Sequence, residues 1–234
     1  MPNSVQPDSQ PLGDGLVLRS LAAPFDPAEV ERLALFNNAI HQDEQVGALT
    51  RGLTLHYPAT RPEHWLIVED TATGQIVSSL CLIPWTWRYA DVTLRSGEMG
   101  IVGTLPDYRR RGLVRALDRR FKHLLDEGDF HLSHIQGIPY FYRQLGYEYA
   151  LPLEGGWHLR LDQVPDEASA LAGRSRFRRA TSGDVPALIG LYDEAARYLD
   201  ISAPRDERAW RFLLEHEPLT AHASETWLLL DEDD

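Results

Sequence analysis

Along the first two thirds of this chain, apolar residues occur in two kinds of pattern, which together predict both strands and helices. Apolar runs of strand length occur at three places, at 16–18, 65–68 and 76–82. Turn residues over 71–74 separate the last two runs and predict a hairpin, whose far end Pro84 is expected to weaken. Between the first two runs, apolar residues recur three and four positions apart over 30–36, which is typical of a helix, and 42–55 is a second helix candidate.

The clearest helical pattern follows a predicted strand at 94–104, which Pro106 is expected to stop. From 112 to 127, five apolar residues fall on one stripe of a helix that ends at Gly128, namely Leu113, Leu117, Phe121, Leu124 and Leu125. The remaining predicted elements are a strand at 131–136, a short helix at 140–145 and strands at 147–151 and 157–161. This mixture of strands and helices predicts the α/β fold class.

Stretches without periodicity divide the chain into four predicted parts. These are a flexible tail at 1–14, a first domain at 15–161, a linker at 162–175 and a partial second domain at 176–234. Residues 225–232, ETWLLLDE, echo residues 63–70, EHWLIVED, and predict an internal repeat whose second copy ends after its first third. Chance similarity of two short strands is the alternative. We therefore expect either a truncated tandem protein or a half-domain that docks on the first domain or on another copy of the chain.

Composition narrows the function classes. Of the 234 residues, 43% are hydrophobic and 25% are charged, as in globular proteins, and no apolar run approaches the roughly 20 residues of a membrane span. The single cysteine, Cys81, excludes an intramolecular disulfide, and without a charged-then-apolar leader the expected location is the cytoplasm. A net charge of -12 argues against a nucleic-acid partner. The oligomeric state stays open, a homo-oligomer being one alternative.

The segment 109–122 is a positive island in this acidic chain, with seven Arg or Lys residues and one acid, Asp118. It lies where a predicted strand runs through a tight turn into a helix, and the free N–H groups and dipole of a helix start favour an anion. Gly112 allows a close approach of backbone and ligand, and the arginines add charge-assisted hydrogen bonds to phosphate. The combination predicts a pyrophosphate site, for which a solvated basic helix face is the alternative. Neither P-loop spacing nor the glycine triplet of a dinucleotide fold is present.

Two motifs in this region resemble those of the GNAT N-acetyltransferases. Residues 106–117, PDYRRRGLVRAL, are similar to the family's acyl-CoA motif, whose core reads Arg or Gln, two residues, Gly, one residue, then Gly or Ala. Arg109 and Gly112 match that core, whereas Val114 departs from it because a branched side chain replaces the small residue. Residues 140–147, YFYRQLGY, resemble the family's Phe-Tyr-x-x-x-Gly-Phe segment, a short helix that leads into a strand.

The resemblance covers about 16–161 and implies both a fold and an activity. The implied fold, of the α/β (α+β) class, is a central mixed, mostly antiparallel sheet flanked by helices. The implied activity is transfer of an acetyl group from acetyl-CoA to an amine of a small molecule or a protein, by direct attack in a ternary complex. A non-catalytic acyl-CoA sensor or partner-binding module is the alternative function. Nothing in the sequence identifies the acceptor amine.

The resemblance also implies which residues bind the cofactor and protonate its sulfur. The cofactor-binding residues are Val102, Gly103, Thr104, Arg109, Arg110, Arg111, Gly112, Leu113, Val114 and Arg115. The first three contribute strand backbone to the pantetheine arm, for which ordinary sheet pairing is the alternative. Tyr142 matches the family position whose hydroxyl faces the thioester sulfur, which makes it the candidate general acid, against a half-buried core aromatic.

Glu98 is the second candidate catalytic residue. It lies eleven residues before Arg109, the spacing at which the histone-acetylating branch of the family keeps its general base. Period-two alternation predicts that Glu98, Gly100, Val102 and Thr104 share one strand face, so the carboxylate would point along the sheet toward the acyl group. A solvated glutamate at the start of the strand, with water as the base, is the alternative.

Other polar and aromatic candidates have plainer interpretations. His131 and His134 lie three residues apart, which on a strand places them on opposite faces, so we predict no metal and consider His134 only as a proton relay. Cys81 is expected to be a packed thiol rather than a nucleophile. Trp85 and Trp87 either border an acceptor pocket or, as is commoner, pack in the core.

Overall fold

The computed structural model describes residues 9–151, 176–222 and 224–230. Its helices are α1 (Pro27–His41), α2 (Glu44–Leu55), α3 (Leu113–Glu127), α4 (Val185–Ala196) and α5 (Glu207–Glu215). Its strands are β1 (Gln10–Gly13), β2 (Leu16–Ser20), β3 (Trp65–Asp70), β4 (Gln75–Tyr89), β5 (Val92–Thr104), β6 (Leu132–His134), β7 (Arg176–Arg179), β8 (Ile201–Ser202) and β9 (Trp227–Leu230).

Strands β1 to β6 form one sheet in chain order, in which neighbours are antiparallel except for the parallel pair β5–β6. Strand β8 pairs with the end of β4, and β7 and β9 form a separate antiparallel pair. The predicted mixed, mostly antiparallel sheet is therefore confirmed.

The sheet is covered by helices on both faces, because its central strands carry apolar residues at successive positions. In β3, Leu66 and Val68 belong to the core beneath α3, whereas Trp65 and Ile67 belong to the core beneath α1 and α2. Helix α3 contributes the predicted apolar stripe to the first core. The two helix layers enclose β4 and β5 between them, and β5 leads directly into the turn before α3.

Strand β4 continues through Pro84 to Tyr89, so the prediction that Pro84 weakens the end of the hairpin is wrong. The reason is the position of the missing N–H group. Pairing of β4 with β3 ends at Cys81, and the carbonyl of Pro84 accepts a hydrogen bond from the Tyr57 hydroxyl (3.2 Å) on that open edge. Because the N–H and C=O of a strand residue point to the same side, proline removes no bond from the β4–β5 ladder.

Two further predictions about secondary structure need correction. Residues Gln10–Gly13, inside the predicted flexible tail, form β1 because they pair with β2. Residues 147–151 contain no strand, since their backbone has no ladder partner among the described residues. The predicted strand at 157–161 and the predicted linker at 162–175 lie outside the described residues.

Residues 176–222 and 224–230, called the C-terminal segment below, pack against the first part of the chain through strand, helix and ring contacts. Strand β8 extends the sheet at Arg88 and Tyr89, and the Arg88 guanidinium also donates to the Ala196 carbonyl (3.0 Å). Phe212 of α5 is buried in the core beneath α1 and α2. The segment is thus part of the same packed body as the first part of the chain.

The C-terminal segment also repeats the order of elements at the start of the chain. Apart from the two-residue strand β8 between α4 and α5, the unit β7, α4, α5, β9 follows the order β2, α1, α2, β3. In both units the first and last strands pair antiparallel. The division of the chain into domains at 15–161 and 176–234 stays a prediction. No helix among the described residues has both the length and the apolar composition needed to cross a bilayer.

Candidate active site

The predicted anion site lies at the turn between β5 and α3. A 3₁₀ turn (Pro106–Tyr108) follows β5, and both Arg110 and Gly112 then adopt positive φ angles, 62° and 76°. Such a left-handed residue directly before a helix curls consecutive N–H groups into a concave surface. Gly112 is the N-cap of α3, no side chain caps this end, and no acid occupies its first turn. The first N–H groups of α3 are therefore available to an anion.

The arginines of this turn point in two directions. Arg109, Arg110 and Arg115 line the cavity at the start of α3, and Arg110 forms no ion pair with any described carboxylate. Arg111 does not line this cavity, because its guanidinium donates to the Asp107 carbonyl (3.0 Å) and lies over the Tyr108 ring at 4.7 Å. Arg111 therefore makes contacts within its own turn, and its place in the predicted cofactor-binding set stays a prediction.

This cavity, called the cofactor cavity below, has a volume of about 1030 Å³. Its walls include nine of the ten residues predicted to bind the cofactor, which are Val102, Gly103, Thr104, Arg109, Arg110, Gly112, Leu113, Val114 and Arg115. The cavity opens beside β5 because β6 pairs with β5 only at Ser96, Gly97 and Glu98. Beyond Glu98, this edge of β5 has no strand partner among the described residues, so its backbone groups can bond a ligand.

A β-bulge interrupts β5 at the edge of this cavity. Cys81 of β4 faces Gly100 and Ser79 faces Gly103, so two β5 residues lie opposite one β4 residue, and Ile101 has a φ of 48°. The bulge breaks the predicted period-two alternation. Val102 packs in the core beneath α3, and the prediction that it shares the face of Glu98 is therefore wrong.

Tyr142 lies in a 3₁₀ turn (Phe141–Leu145) and lines the cofactor cavity. Its ring packs on the core beneath α3 and meets the Phe141 ring edge-on at 5.0 Å. A methyl group at Gly137 would overlap the Tyr142 ring, so the glycine allows the ring to take this position. Burial raises the pKa of Tyr142, and its hydroxyl bonds no described residue. The phenol is thus protonated at neutral pH, and its residue lines the cavity.

A tether joins the turn of Tyr142 to α3. The Lys122 ammonium donates to the buried carboxylate of Asp118 (2.9 Å) and to the Leu145 carbonyl at the end of the turn (2.8 Å). The second carboxylate oxygen of Asp118 is buried without a hydrogen-bond partner in the described structure. The pair thereby fixes the turn relative to the start of α3.

Glu98 is almost fully buried, with 6% of its surface exposed, and lies at the other end of the cofactor cavity. Its Oε2 accepts a hydrogen bond from the Trp85 indole N–H (2.7 Å) and lies 3.7 Å from His134 Nε2. Burial raises the pKa of Glu98, and the Trp85 bond partly opposes that shift. Its Oε1 has no described partner. The alternative of a solvated glutamate is inconsistent with this burial.

His134 is a neutral neighbour of this carboxylate. Burial lowers the pKa of His134 to about 4, its Nδ1 pairs with the Ser96 hydroxyl (2.8 Å), and the Trp87 ring lies 4.4 Å from its ring. Trp85 thus bonds Glu98 while it packs against the core beneath α1 and α2, and Trp87 contacts His134. A neutral imidazole so close to Glu98 is well placed to orient it, and it adds no positive charge.

A second cavity, of about 1160 Å³, lies on the opposite side of Glu98 and is called the acceptor-side cavity below. Its walls come from the end of α2, from β4 and from the C-terminal segment, including Tyr57, Trp85, Asp206 and Glu217. Burial, with the carboxylates of Glu98, Asp206 and Glu217, raises the pKa of Tyr57 to about 12. Four residues line both cavities, namely Ile83, Glu98, Gln136 and His222. The two spaces therefore meet at Glu98.

Sequence patterns did not indicate Tyr57 and His222 as parts of the site. Tyr57 lies just after α2. His222 follows a 3₁₀ turn (Glu217–Leu219) and lies 124 positions after Glu98 in the sequence. Only the echo of 63–70 in 225–232 hinted that the C-terminal segment is built like the first part of the chain.

No metal site is formed by the described residues, since no three His, Cys, Asp or Glu side chains lie close enough together to hold an ion. His131 instead accepts a hydrogen bond from the Arg95 backbone N–H at its Nδ1 (2.9 Å). Cys81 is fully buried in the core beneath α1 and α2, and burial raises the pKa of its thiol well above the ordinary value. A thiol in that environment stays protonated and does not act as a nucleophile.

Comparison with known proteins matches this chain to a family model and to a curated sequence. The model described as the acetyltransferase (GNAT) domain matches residues 27–150. Mycothiol acetyltransferase of Nocardia farcinica (strain IFM 10152) is 34% identical over 122 residues, which are 49% of this chain and 37% of that protein. The chain therefore spans well under half the length of this curated relative.

Solved structures with a similar fold include an N-myristoyltransferase and a probable N-acyltransferase. The Saccharomyces cerevisiae N-myristoyltransferase with bound myristoyl-CoA matches with a TM-score of 0.62 at 14% identity, over 89% of this chain and 55% of that one. A conserved protein of unknown function from Enterococcus faecalis V583, titled a probable N-acyltransferase, matches with a TM-score of 0.65 at 15% identity, over 93% of this chain and 52% of that one. At these identities the matches show a shared fold.

Proposed function

Since this chain belongs to the GNAT acetyltransferase family, we propose that it transfers an acetyl group from acetyl-CoA to an amine of a small molecule or a protein. One observation carries the proposal. The cofactor cavity joins the uncapped start of α3 at Gly112, the open edge of β5, the free phenol of Tyr142 and the buried carboxylate of Glu98. Each of these groups meets a different chemical need of acyl transfer from a thioester.

The start of α3 and its arginines are suited to the pyrophosphate of CoA. Its N–H groups and helix dipole favour a doubly charged anion, and the guanidinium of Arg110 has no competing carboxylate among the described residues. The edge of β5 at 102–104 offers backbone groups to the two amides of the pantetheine arm, as a sheet edge does to an added strand. We propose that the arm follows this edge and carries the thioester toward Tyr142.

The two candidate catalytic residues divide the proton transfers between them. An ammonium acceptor must lose a proton before it attacks, and Glu98 Oε1 is free to receive it, while burial brings the pKa of Glu98 closer to neutral. The neutral amine then adds to the thioester carbonyl, and the C–S bond breaks as the intermediate collapses. Tyr142, whose raised pKa keeps it protonated, donates its proton to the leaving thiolate, and the second proton, which the nitrogen loses as it becomes an amide, restores the Tyr142 phenol. No covalent enzyme intermediate is required.

We also propose that 15–161 is the catalytic domain and that 176–234 is a partial second domain packed against it. Burial of Phe212 and the pairing of β8 with β4 support this arrangement. Because the segment packs there, its residues form part of the wall of the acceptor-side cavity. This position suits the segment to a role in binding the amine.

A thiol-release screen tests the proposed function. The chain is incubated with acetyl-CoA and a panel of aminoglycosides, polyamines, amino acids and peptides, and free CoA is measured with a thiol reagent. We expect amine-dependent CoA release by the wild type and its loss in Tyr142→Phe and Glu98→Gln. Tight acetyl-CoA binding without release for any amine class would instead favour the non-catalytic sensor.

A further inference from the structure

The C-terminal segment reaches the junction of the two cavities at His222. This residue lines the cofactor cavity and the acceptor-side cavity, as Glu98 does, although it belongs to a distant part of the sequence. Its backbone is held in place, because the His222 N–H donates to the Thr220 hydroxyl (3.2 Å) and the preceding Ala221 N–H donates to the Gln45 carbonyl of α2 (3.1 Å). Docking of the segment on α2 therefore determines where this imidazole lies.

The imidazole of His222 has no hydrogen-bond or ion-pair partner among the described residues, and it is exposed to the cavities. It contrasts with the other titratable groups around Glu98. His134 of β6 is paired with a serine, Tyr57 donates its proton to a carbonyl, and Cys81 of β4 is fully buried. Among these four described residues, His222 alone has ring nitrogens that are available to hydrogen-bond a second substrate.

His222 also influences the charge of Glu98. A positive charge on its imidazole lowers the pKa of the buried carboxylate, which opposes the effect of burial. An acceptor nitrogen that is close enough to lose a proton to Glu98 would enter the space between these two side chains. A neutral imidazole nitrogen accepts one N–H of the amine, while Glu98 takes the proton that must be removed before attack.

We propose that His222 is a residue of the acceptor site, which hydrogen-bonds the attacking amine and holds its nitrogen beside Glu98 at the junction of the two cavities. This inference rests on the proposed amine acetylation. It assigns to the C-terminal segment a direct contact with the acceptor, in addition to its structural role. In the proton transfer, an N–H bond of the ammonium breaks and an O–H bond forms on Glu98, and His222 keeps its hydrogen bond to the amine throughout.

The test compares His222→Ala and His222→Gln with the wild type, and His123→Ala is the control because His123 is an exposed histidine of α3 outside both cavities. We expect His222→Ala to lower kcat/KM for the amine at least tenfold, which corresponds to one lost hydrogen bond to a polar reacting group. The KM for acetyl-CoA should stay within about twofold, as expected for a residue that contacts only the acceptor. His123→Ala should match the wild type in both.

The glutamine variant separates acceptor contact from a merely structural role. His222→Gln should recover part of the rate, because its amide still hydrogen-bonds an amine, and its KM for acetyl-CoA should stay that of the wild type. A His222→Ala enzyme with wild-type kcat/KM for the amine overturns the inference and leaves the proposed function intact. A wild type that acetylates no amine overturns both.

Discussion

Phe212→Ala is the substitution that probes most strongly how the C-terminal segment is attached. The Phe212 ring is buried beneath α2, meets the Tyr57 ring edge-on at 5.1 Å and approaches to within 3.7 Å of the position that a side chain would take at Gly52. Truncation of a buried phenylalanine costs roughly 3–5 kcal/mol through lost transfer free energy and the cavity left behind. For a chain of this size each 1 kcal/mol lowers the melting temperature by roughly 2–4 °C, so we expect a fall of roughly 6–20 °C.

Thermal denaturation followed by circular dichroism measures this change. Leu219→Ala is the matched control, because Leu219 belongs to the same segment and is 71% exposed, and such surface substitutions change stability by only about 0.5 kcal/mol. We also expect lower amine kcat/KM in Phe212→Ala, since α5 forms part of the acceptor-side cavity. A Phe212→Ala protein that melts within about 2 °C of the wild type would show that the segment is not docked in solution.

Three further predictions concern the catalytic groups. Tyr142→Phe should lower kcat about a hundredfold with little change in acetyl-CoA affinity, because it removes a proton donor and keeps the ring; full activity with chemistry rate-limiting would make Tyr142 structural. Trp85→Phe removes the hydrogen bond that lowers the pKa of Glu98. The base is active only when ionised, so the acid limb of kcat/KM should move to higher pH, and an unmoved limb would remove Glu98 from the mechanism. Gly137→Ala should lower kcat by displacing the Tyr142 ring, which a crystal structure of the variant with an unshifted ring would disprove.

The cofactor side of the site could be predicted because its signals are local. A strand, a basic turn with Gly112 and an amphipathic helix are adjacent in sequence, and the geometry of a helix start follows from that order alone. The candidate general acid Tyr142 was found in the same way, from a short segment with its own turn glycine. In both cases the residues that form the site lie in the same element or in elements that are adjacent in the sequence.

The acceptor side could not be predicted, because it depends on contacts between distant segments. A single extra residue at Ile101 reverses which side chains of β5 face each side of the sheet. The isoleucine side chain gives no indication in the sequence of a positive φ. His222 lies near Glu98 because the C-terminal segment packs on α2, where Phe212 of α5 is buried. Pro84 misled the prediction of the hairpin for a related reason, since an open strand edge at that position is a property of the whole sheet.

The most direct test of the central claim is the melting temperature of the chain with and without acetyl-CoA. A ligand that binds only the folded state at a hundredfold excess over its dissociation constant stabilises it by about 2.7 kcal/mol. For a chain of this size that corresponds to a rise of roughly 5–11 °C. Because binding is assigned to the uncapped start of α3, an Arg110→Glu variant should show a much smaller rise. An unchanged melting temperature of the wild type at millimolar acetyl-CoA, with free CoA equally silent, would contradict the account.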